Sequence, residues 1–225
     1  MTVCLFDIDG TLIDSHGAGM AALHEAFRTE FGIERRDESV PFSGRTDRGI
    51  NTAYFASYGI DNTPANWTRF HSVYLRHLAE TLAARNGIVL PGVVPLLDSL
   101  IGRDDFVVGL LTGNIRDAAT AKLDFYGLSQ YFDFGGFGDH HESRDDVARE
   151  ALREAQQRVN GQTQLDRVWV IGDTPLDVEC ARAIGAKVIA VATGNHPIEE
   201  LAATQPDLVV SDLADHAPLW ELWNN

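Results

Sequence analysis

Three short polar runs in this chain each follow an apolar run, and each carries groups able to do chemistry. The first is Asp7-Ile8-Asp9-Gly10-Thr11. Side chains alternate along a strand, so Asp7 and Asp9 would share one side with Ile8 turned away. Two carboxylates that close repel each other unless a proton or a cation intervenes, and a hard ion such as Mg2+ suits their oxygens. Gly10 lets a ligand approach the backbone, and Thr11 adds a hydroxyl. The competing explanation is a polar turn closing a strand, but chance rarely assembles so specific a run. The second run is Thr112-Gly113-Asn114, a hydroxyl plus backbone N–H groups at the start of a helix. Such a site suits an anionic oxygen, although the same residues serve as ordinary turns and caps. The third is Gly172-Asp173-Thr174-Pro175-Leu176-Asp177, where two carboxylates four apart at a strand-to-helix turn can point into one crevice. Acidic residues also favour helix N-termini for dipole reasons. Three apolar runs ending in polar residues at one edge favour a site over three separate turns.

Those runs need a scaffold. The stretches Val3–Ile8 (interrupted only by Asp7), Phe106–Leu111, Val168–Ile171, Val188–Val191 and Leu208–Val210 are apolar without alternation, as parallel strands covered on both faces require. Between them lie helical patterns: Val93, Leu96, Leu97, Leu100 and Ile101; Ile115, Ala119, Leu123 and Tyr126 with Gly127 as cap; Val147 to Val159; and Leu176–Ile184 ending at Gly185. The alternation predicts an α/β fold, a doubly wound, Rossmann-like parallel sheet. Open sheets of this kind bind ligands at the carboxyl ends of their strands, where the three polar runs fall.

Residues 15–86 interrupt the alternation. Met20, Leu23, Phe27 and Phe31 make one helical stripe, and Trp67, Phe70, Tyr74 and Leu78 another, with no strong strand run between them. This predicts a small helical domain inserted after the first strand, residues 15–86, on a core of residues 1–14 and 87–225. Asp14-Ser15-His16-Gly17 resembles a hinge, and Gly87 and Pro91-Gly92 mark the return.

Composition narrows the partners. With 18 basic and 33 acidic residues the formal charge is −15, a field that repels nucleic acid and anionic membranes. No apolar run is long enough to span a bilayer. Cys4 and Cys180 form no metal or redox spacing, and acidic residues at Asp7 and Asp9 argue against an export signal, so the cytoplasm is the expected compartment. Trp220 and Trp223 could pack on the core or on a second subunit, leaving monomer and homodimer both open.

Taken in order, Asp7-Ile8-Asp9-Gly10-Thr11, Thr112-Gly113-Asn114 and Gly172-Asp173-Thr174-Pro175-Leu176-Asp177 resemble the haloacid dehalogenase superfamily. The likeness spans nearly the whole chain and points to the phosphoglycolate-phosphatase-like group of Mg2+-dependent phosphatases acting on small phosphorylated metabolites. It implies that Asp7 is the nucleophile forming an aspartyl-phosphate, and Asp9 the general acid and base. It implies Mg2+ on Asp7, the main-chain carbonyl of Asp9 and Asp173, with Asp177 ligating through water or orienting the others. It implies phosphoryl oxygens held by Thr112, Gly113 and Asn114, and a helical cap closing over the site. Arg45, in the turn Gly44-Arg45-Thr46-Asp47-Arg48, becomes a candidate for an anionic substrate tail, with a solvated loop arginine as the equal alternative.

One departure concerns the family's usual lysine, placed before the helix that precedes the last motif. This chain has two lysines. Lys122 lies inside the Ile115–Tyr126 helix and Lys187 follows the last motif, so neither matches. Arg144, opening the Val147–Val159 helix, is the expected replacement, while the adjacent His140 and His141 read as loop residues, with contact to the substrate as the alternative.

Competing chemistries of the superfamily fit less well. A dehalogenase would lack an acid at the Asp9 position, and a phosphonate hydrolase needs a cap lysine that residues 15–86 do not contain. A sugar-phosphate mutase keeps all the carboxylates and stays open, as does a relative that binds metal and phosphate without turnover.

Overall fold

The computed structural model describes residues 1–159 and 164–224. The chain begins with β1 (Thr2–Phe6) and a short β2 (Ile13–Asp14), then runs through α1 (Ala18–Phe31), α2 (Asp47–Ser57) and α3 (Pro64–Arg85). It returns through β3 (Ile88–Val89) and alternates: α4 (Val93–Ile101), β4 (Phe106–Leu111), α5 (Arg116–Phe125), β5 (Gly135–Gly136), α6 (Arg144–Arg158), β6 (Val168–Gly172). It ends with α7 (Pro175–Ala183), β7 (Lys187–Val191), α8 (Ile198–Ala203), β8 (Leu208–Val210) and α9 (Ala217–Trp223). Six strands form one parallel sheet in the order β5-β4-β1-β6-β7-β8.

Both faces of the sheet are covered, which is why its strands read as unbroken apolar runs. In β1, Cys4 and Phe6 join one core cluster with α4, α5 and α9, while Val3 and Leu5 join another with α6 and α7. Trp220 and Trp223 settle on the first, their rings 5.5 and 5.4 Å from that of Phe106. β1 is shorter than its apolar run. The Asp7 N–H still donates to Ile171 O at 2.9 Å, but the chain then turns tightly about Ile8, whose carbonyl accepts from Leu12 N at 2.9 Å. Ile8 itself is buried beneath the turn. The edge strand β5 carries only two glycines and had no apolar signal; a Cβ on Gly136 would lie 2.3 Å from Val147 O of α6.

The three helices between β2 and β3 build their own aromatic centre. Phe27 of α1 has ring neighbours in Tyr54 and Phe55 of α2 and Phe70 of α3 at 5.0–5.6 Å. Ile115 and Ala118, at the start of α5, complete this cluster from the sheet side. The helices leave and rejoin the sheet through the antiparallel β2–β3 pair, Ile13 opposite Val89 and Asp14 opposite Ile88. Gly87 is required at this crossing, because a Cβ there would lie 2.1 Å from the Tyr126 hydroxyl and 2.4 Å from Asp14 O. The run Gly44–Arg48, expected as a turn, is only partly one. Thr46 caps α2 by accepting from Gly49 N, so Asp47 and Arg48 are helical. No helix among the described residues is long and apolar enough to cross a membrane.

Candidate active site

Three adjacent strands deliver the polar runs to one crevice. β1 lies between β4 and β6, so Phe6 pairs with both Leu110 and Ile171, and the residues that follow leave the sheet at the same edge. Asp7, Asp9, Gly113, Asn114, Asp173 and Arg144 line a cavity of about 280 Å3 there, and Arg45, Asp47, Tyr74 and Lys122 line it too.

Arg144 joins the carboxylates of its wall. It opens α6 behind the cap Ser143, and its side chain is 5% exposed. Nη2 lies 2.9 Å from Asp7 Oδ2 and 2.5 Å from Asp177 Oδ1, and Nη1 donates to Gly44 O at 3.2 Å. Its Nε–H is buried with no partner among the described residues. Asp177 fills both roles the sequence allowed. One oxygen accepts from the Thr174 N–H and hydroxyl, completing a capping box on α7, and the other holds Arg144.

The donor set fits a hard divalent cation. Asp7, Asp173 and Asp177 are buried, and each offers an oxygen within 4.8 Å of the others'. Space around Asp173 is kept open by missing side chains: a Cβ on Gly10 or Gly194 would lie 2.3 or 1.7 Å from Asp173 Oδ2. Burial, then the charges of Asp177 and Asp7, push Asp173 up to about 9, against the lowering effect of Arg144. Burial likewise raises Asp7 to about 6, where Arg144 lowers it and Asp177 and Asp9 raise it. Arg144 does not offset the burial and mutual repulsion of these carboxyls, and a cation among them would.

Asp9 faces the other way. Its carboxylate accepts from Lys122 Nζ at 2.5 Å and Asn114 Nδ2 at 2.8 Å, and Lys122 also donates to Asn114 Oδ1 at 2.7 Å. Burial alone would raise the Asp9 pKa; the Lys122 ammonium and the two hydrogen bonds outweigh it and hold the carboxyl below its ordinary range. Asn114 thus serves Asp9, and its amide also donates to Thr112 Oγ at 2.8 Å. Thr112 is fully buried behind the cavity wall, whereas Gly113 and Asn114 reach the cavity.

Lys122 and Asp47 are the residues that motif reading passed over. Lys122 fits no family position, yet its side chain reaches back along α5 into the cavity and is 4% exposed. A periodic signal existed: Lys122 lies seven past Ile115 and four past Ala118, on the face those residues bury. Asp47 accepts from the Ile115 N–H at 2.9 Å, and burial pushes its carboxyl up to about 6. Arg45 lines the cavity and makes no side-chain hydrogen bond or ion pair among the described residues, whereas Arg48 is spent over the Trp67 ring at 4.5 Å. His140 is exposed and His141 pairs with Glu150 at 2.8 Å, as loop residues should.

A parallel sheet whose central strand ends in such a carboxylate cluster can hold a cation beside an anionic ligand. Comparison with known proteins specifies the family. Residues 4–191 match the model of the haloacid dehalogenase-like hydrolases, and the chain belongs to that family. It is 30% identical over 96% of its length to a phosphoglycolate phosphatase of Synechococcus elongatus, of which 95% is covered. It is 25% identical to the pyrophosphatase PpaX of Bacillus velezensis, with 96% and 94% covered. In fold it is similar to CbbY from Rhodobacter sphaeroides, solved in complex with phosphate, at a TM-score of 0.75, 21% identity and 96% and 97% coverage.

Proposed function

We propose that this protein is a Mg2+-dependent phosphatase that hydrolyses a small phosphorylated metabolite in the cytoplasm through an aspartyl-phosphate on Asp7. The observation that carries the reading is that Asp7 meets the Arg144 guanidinium at 2.9 Å and shares one buried carboxylate cluster with Asp173 and Asp177. Names of relatives in two substrate groups, phosphoglycolate and pyrophosphate, support phosphoryl chemistry without choosing between them.

Asp7, the main-chain carbonyl of Asp9, and Asp173 would hold the ion, with Asp177 orienting Arg144. Bound there, Mg2+ would supply positive charge to phosphoryl oxygens and carboxylates alike. The remaining work falls to this chain's own groups. Arg144 offsets the repulsion between the Asp7 carboxylate and an anionic phosphoryl group. The N–H groups of Gly113 and Asn114 receive phosphoryl oxygens. Thr112 would act from behind the wall, through Asn114. An Asp7 oxygen bonds to phosphorus as the ester P–O bond breaks, and Asp9 gives the departing oxygen a proton. The same carboxylate then takes a proton from the water that attacks phosphorus, freeing phosphate and restoring Asp7. In the free protein Lys122 keeps Asp9 ionised, which is the form needed for the second step. The proton for the first step therefore arrives with the substrate as its monoanion.

Residues 15–86 would act as the cap. The loop before α2 reaches the core: Asp47 N donates to Gly113 O at 2.7 Å and Thr46 Oγ to Glu142 O at 3.1 Å. A cavity of this size under a closed cap admits small molecules only. Arg45 is the cation available to an anionic tail. The test is a panel of phosphorylated metabolites with chromogenic esters, followed by phosphate release with Mg2+ and with chelator. Metal-dependent release supports the reading, and isomerised sugar phosphate without release would favour a mutase.

A further inference from the structure

We infer that Gly19, Tyr74 and Lys122 form a leaving-group subsite that recognises a hydroxyl on the carbon next to the phosphorylated one. This rests on the phosphatase reading and specifies its substrate class.

The three residues come from α1, α3 and α5 and converge on one gap. A Cβ built on Gly19 would lie 3.3 Å from Lys122 Nζ and 3.8 Å from the Tyr74 hydroxyl. Tyr74 is 3% exposed and lines the cavity, and its hydroxyl makes no hydrogen bond among the described residues. On the cavity wall, it is left free for a ligand atom. Lys122 has three N–H donors and spends two, on Asp9 and Asn114. Gly19, the second residue of α1, leaves this gap open where a side chain would crowd Lys122 Nζ.

Position fixes which part of the substrate meets these groups. The ester oxygen must reach Asp9, and Lys122 Nζ is 2.5 Å from the Asp9 carboxylate. An acceptor bound by Lys122 and Tyr74 therefore sits within a few bonds of that oxygen. Charge fixes its type. Asp9 and Asp47 both line this end of the cavity, so a carboxylate there would meet two like charges. A hydroxyl accepts from Lys122 or Tyr74 and donates to a carboxylate, satisfying both kinds of group. Met20 and Leu23 supply apolar contact for the carbon chain.

The experiment compares kcat/KM for hydroxyethyl phosphate, its isostere propyl phosphate, and phosphoglycolate, in the native protein and in Tyr74→Phe, Lys122→Met and Gly19→Ala. Native protein should prefer hydroxyethyl over propyl phosphate by about tenfold or more, because a bound propyl group would leave these donors unpaired. That ratio should fall toward unity in all three variants. Lys122→Met also loosens Asp9 and lowers kcat on every substrate, so the ratio rather than the rate is the readout. Gly19→Ala guards against misfolding as the cause: it should lose discrimination while its melting temperature stays at or above native. A ratio unchanged in Tyr74→Phe and Gly19→Ala overturns the subsite. A native preference for phosphoglycolate that collapses in the variants overturns the hydroxyl assignment. Native protein that hydrolyses none of the three but turns over other phosphorylated metabolites overturns the subsite alone, whereas no hydrolysis of any ester, chromogenic ones included, overturns the phosphatase reading.

Discussion

One guanidinium nitrogen of Arg144 lies 2.9 Å from Asp7 and 2.5 Å from Asp177, tying the residue after β1 to the first turn of α7. A buried cation shared by two carboxylates neutralises the groups that an anionic substrate must approach. Arg144→Ala should lower kcat/KM by roughly 10²-fold or more, the scale of losing one transition-state donor. Arg144→Lys should recover only part, since one ammonium cannot bridge Asp7, Asp177 and Gly44 O from the same backbone. Near-native kinetics for Arg144→Ala would remove Arg144 from the reaction.

Asp7→Asn keeps the shape of the side chain and removes its nucleophilicity. Turnover should drop by at least about 10³-fold, while circular dichroism and gel filtration stay native. Retained activity in a preparation free of other phosphatases would rule out attack by Asp7.

The raised carboxyls also predict how stability follows pH. Asp7 at about 6 and Asp173 at about 9 bind protons more tightly folded than unfolded, where carboxyls titrate near 4. The folded state therefore carries more protons across that window, and in chelator the melting temperature should fall as pH rises from about 4 to about 9. Mg2+ competes with those protons, so it should raise the melting temperature by several degrees near pH 8 and by less near pH 5. Equal shifts at both pH values would disconnect the cluster from the metal.

Rate should follow the same linkage. Asp7 attacks only as the carboxylate, so kcat/KM should be lost as pH falls through its pKa. Raising the Mg2+ concentration should move that acid limb to lower pH. A limb indifferent to Mg2+ would show that Asp7 and the ion do not share a site.

Much of this arrangement was legible in the residues. The parallel sheet showed itself in five continuous apolar runs, because strands covered on both faces have no polar side to betray them. The three polar runs fell at one edge since their strands are neighbours in the sheet. Arg144 was legible as the first residue of its helix, although its partners were not, because Asp177 and Gly44 approach from elsewhere in the fold. Lys122 was missed for the opposite reason. Its role depends on a side chain running back along α5 to Asp9, which spacing to the motifs cannot show. The α2 helix hid behind a loop-like start, since Thr46 looks the same in a turn as in a cap. The β2–β3 pair is two residues a side, too short for any pattern.

The covalent step is the centre of the account, and trapping it tests it most directly. Asp9→Asn leaves Asp7 and Arg144 in place but cannot activate the water of the second step. Mixed with p-nitrophenyl phosphate, whose leaving group needs no proton, and Mg2+, this variant should release one equivalent of nitrophenolate in a burst. Intact mass should then show one added phosphoryl group, mapping to Asp7 after reduction with borohydride. Turnover without a burst, or a phosphoryl group on any residue other than Asp7, would contradict the mechanism.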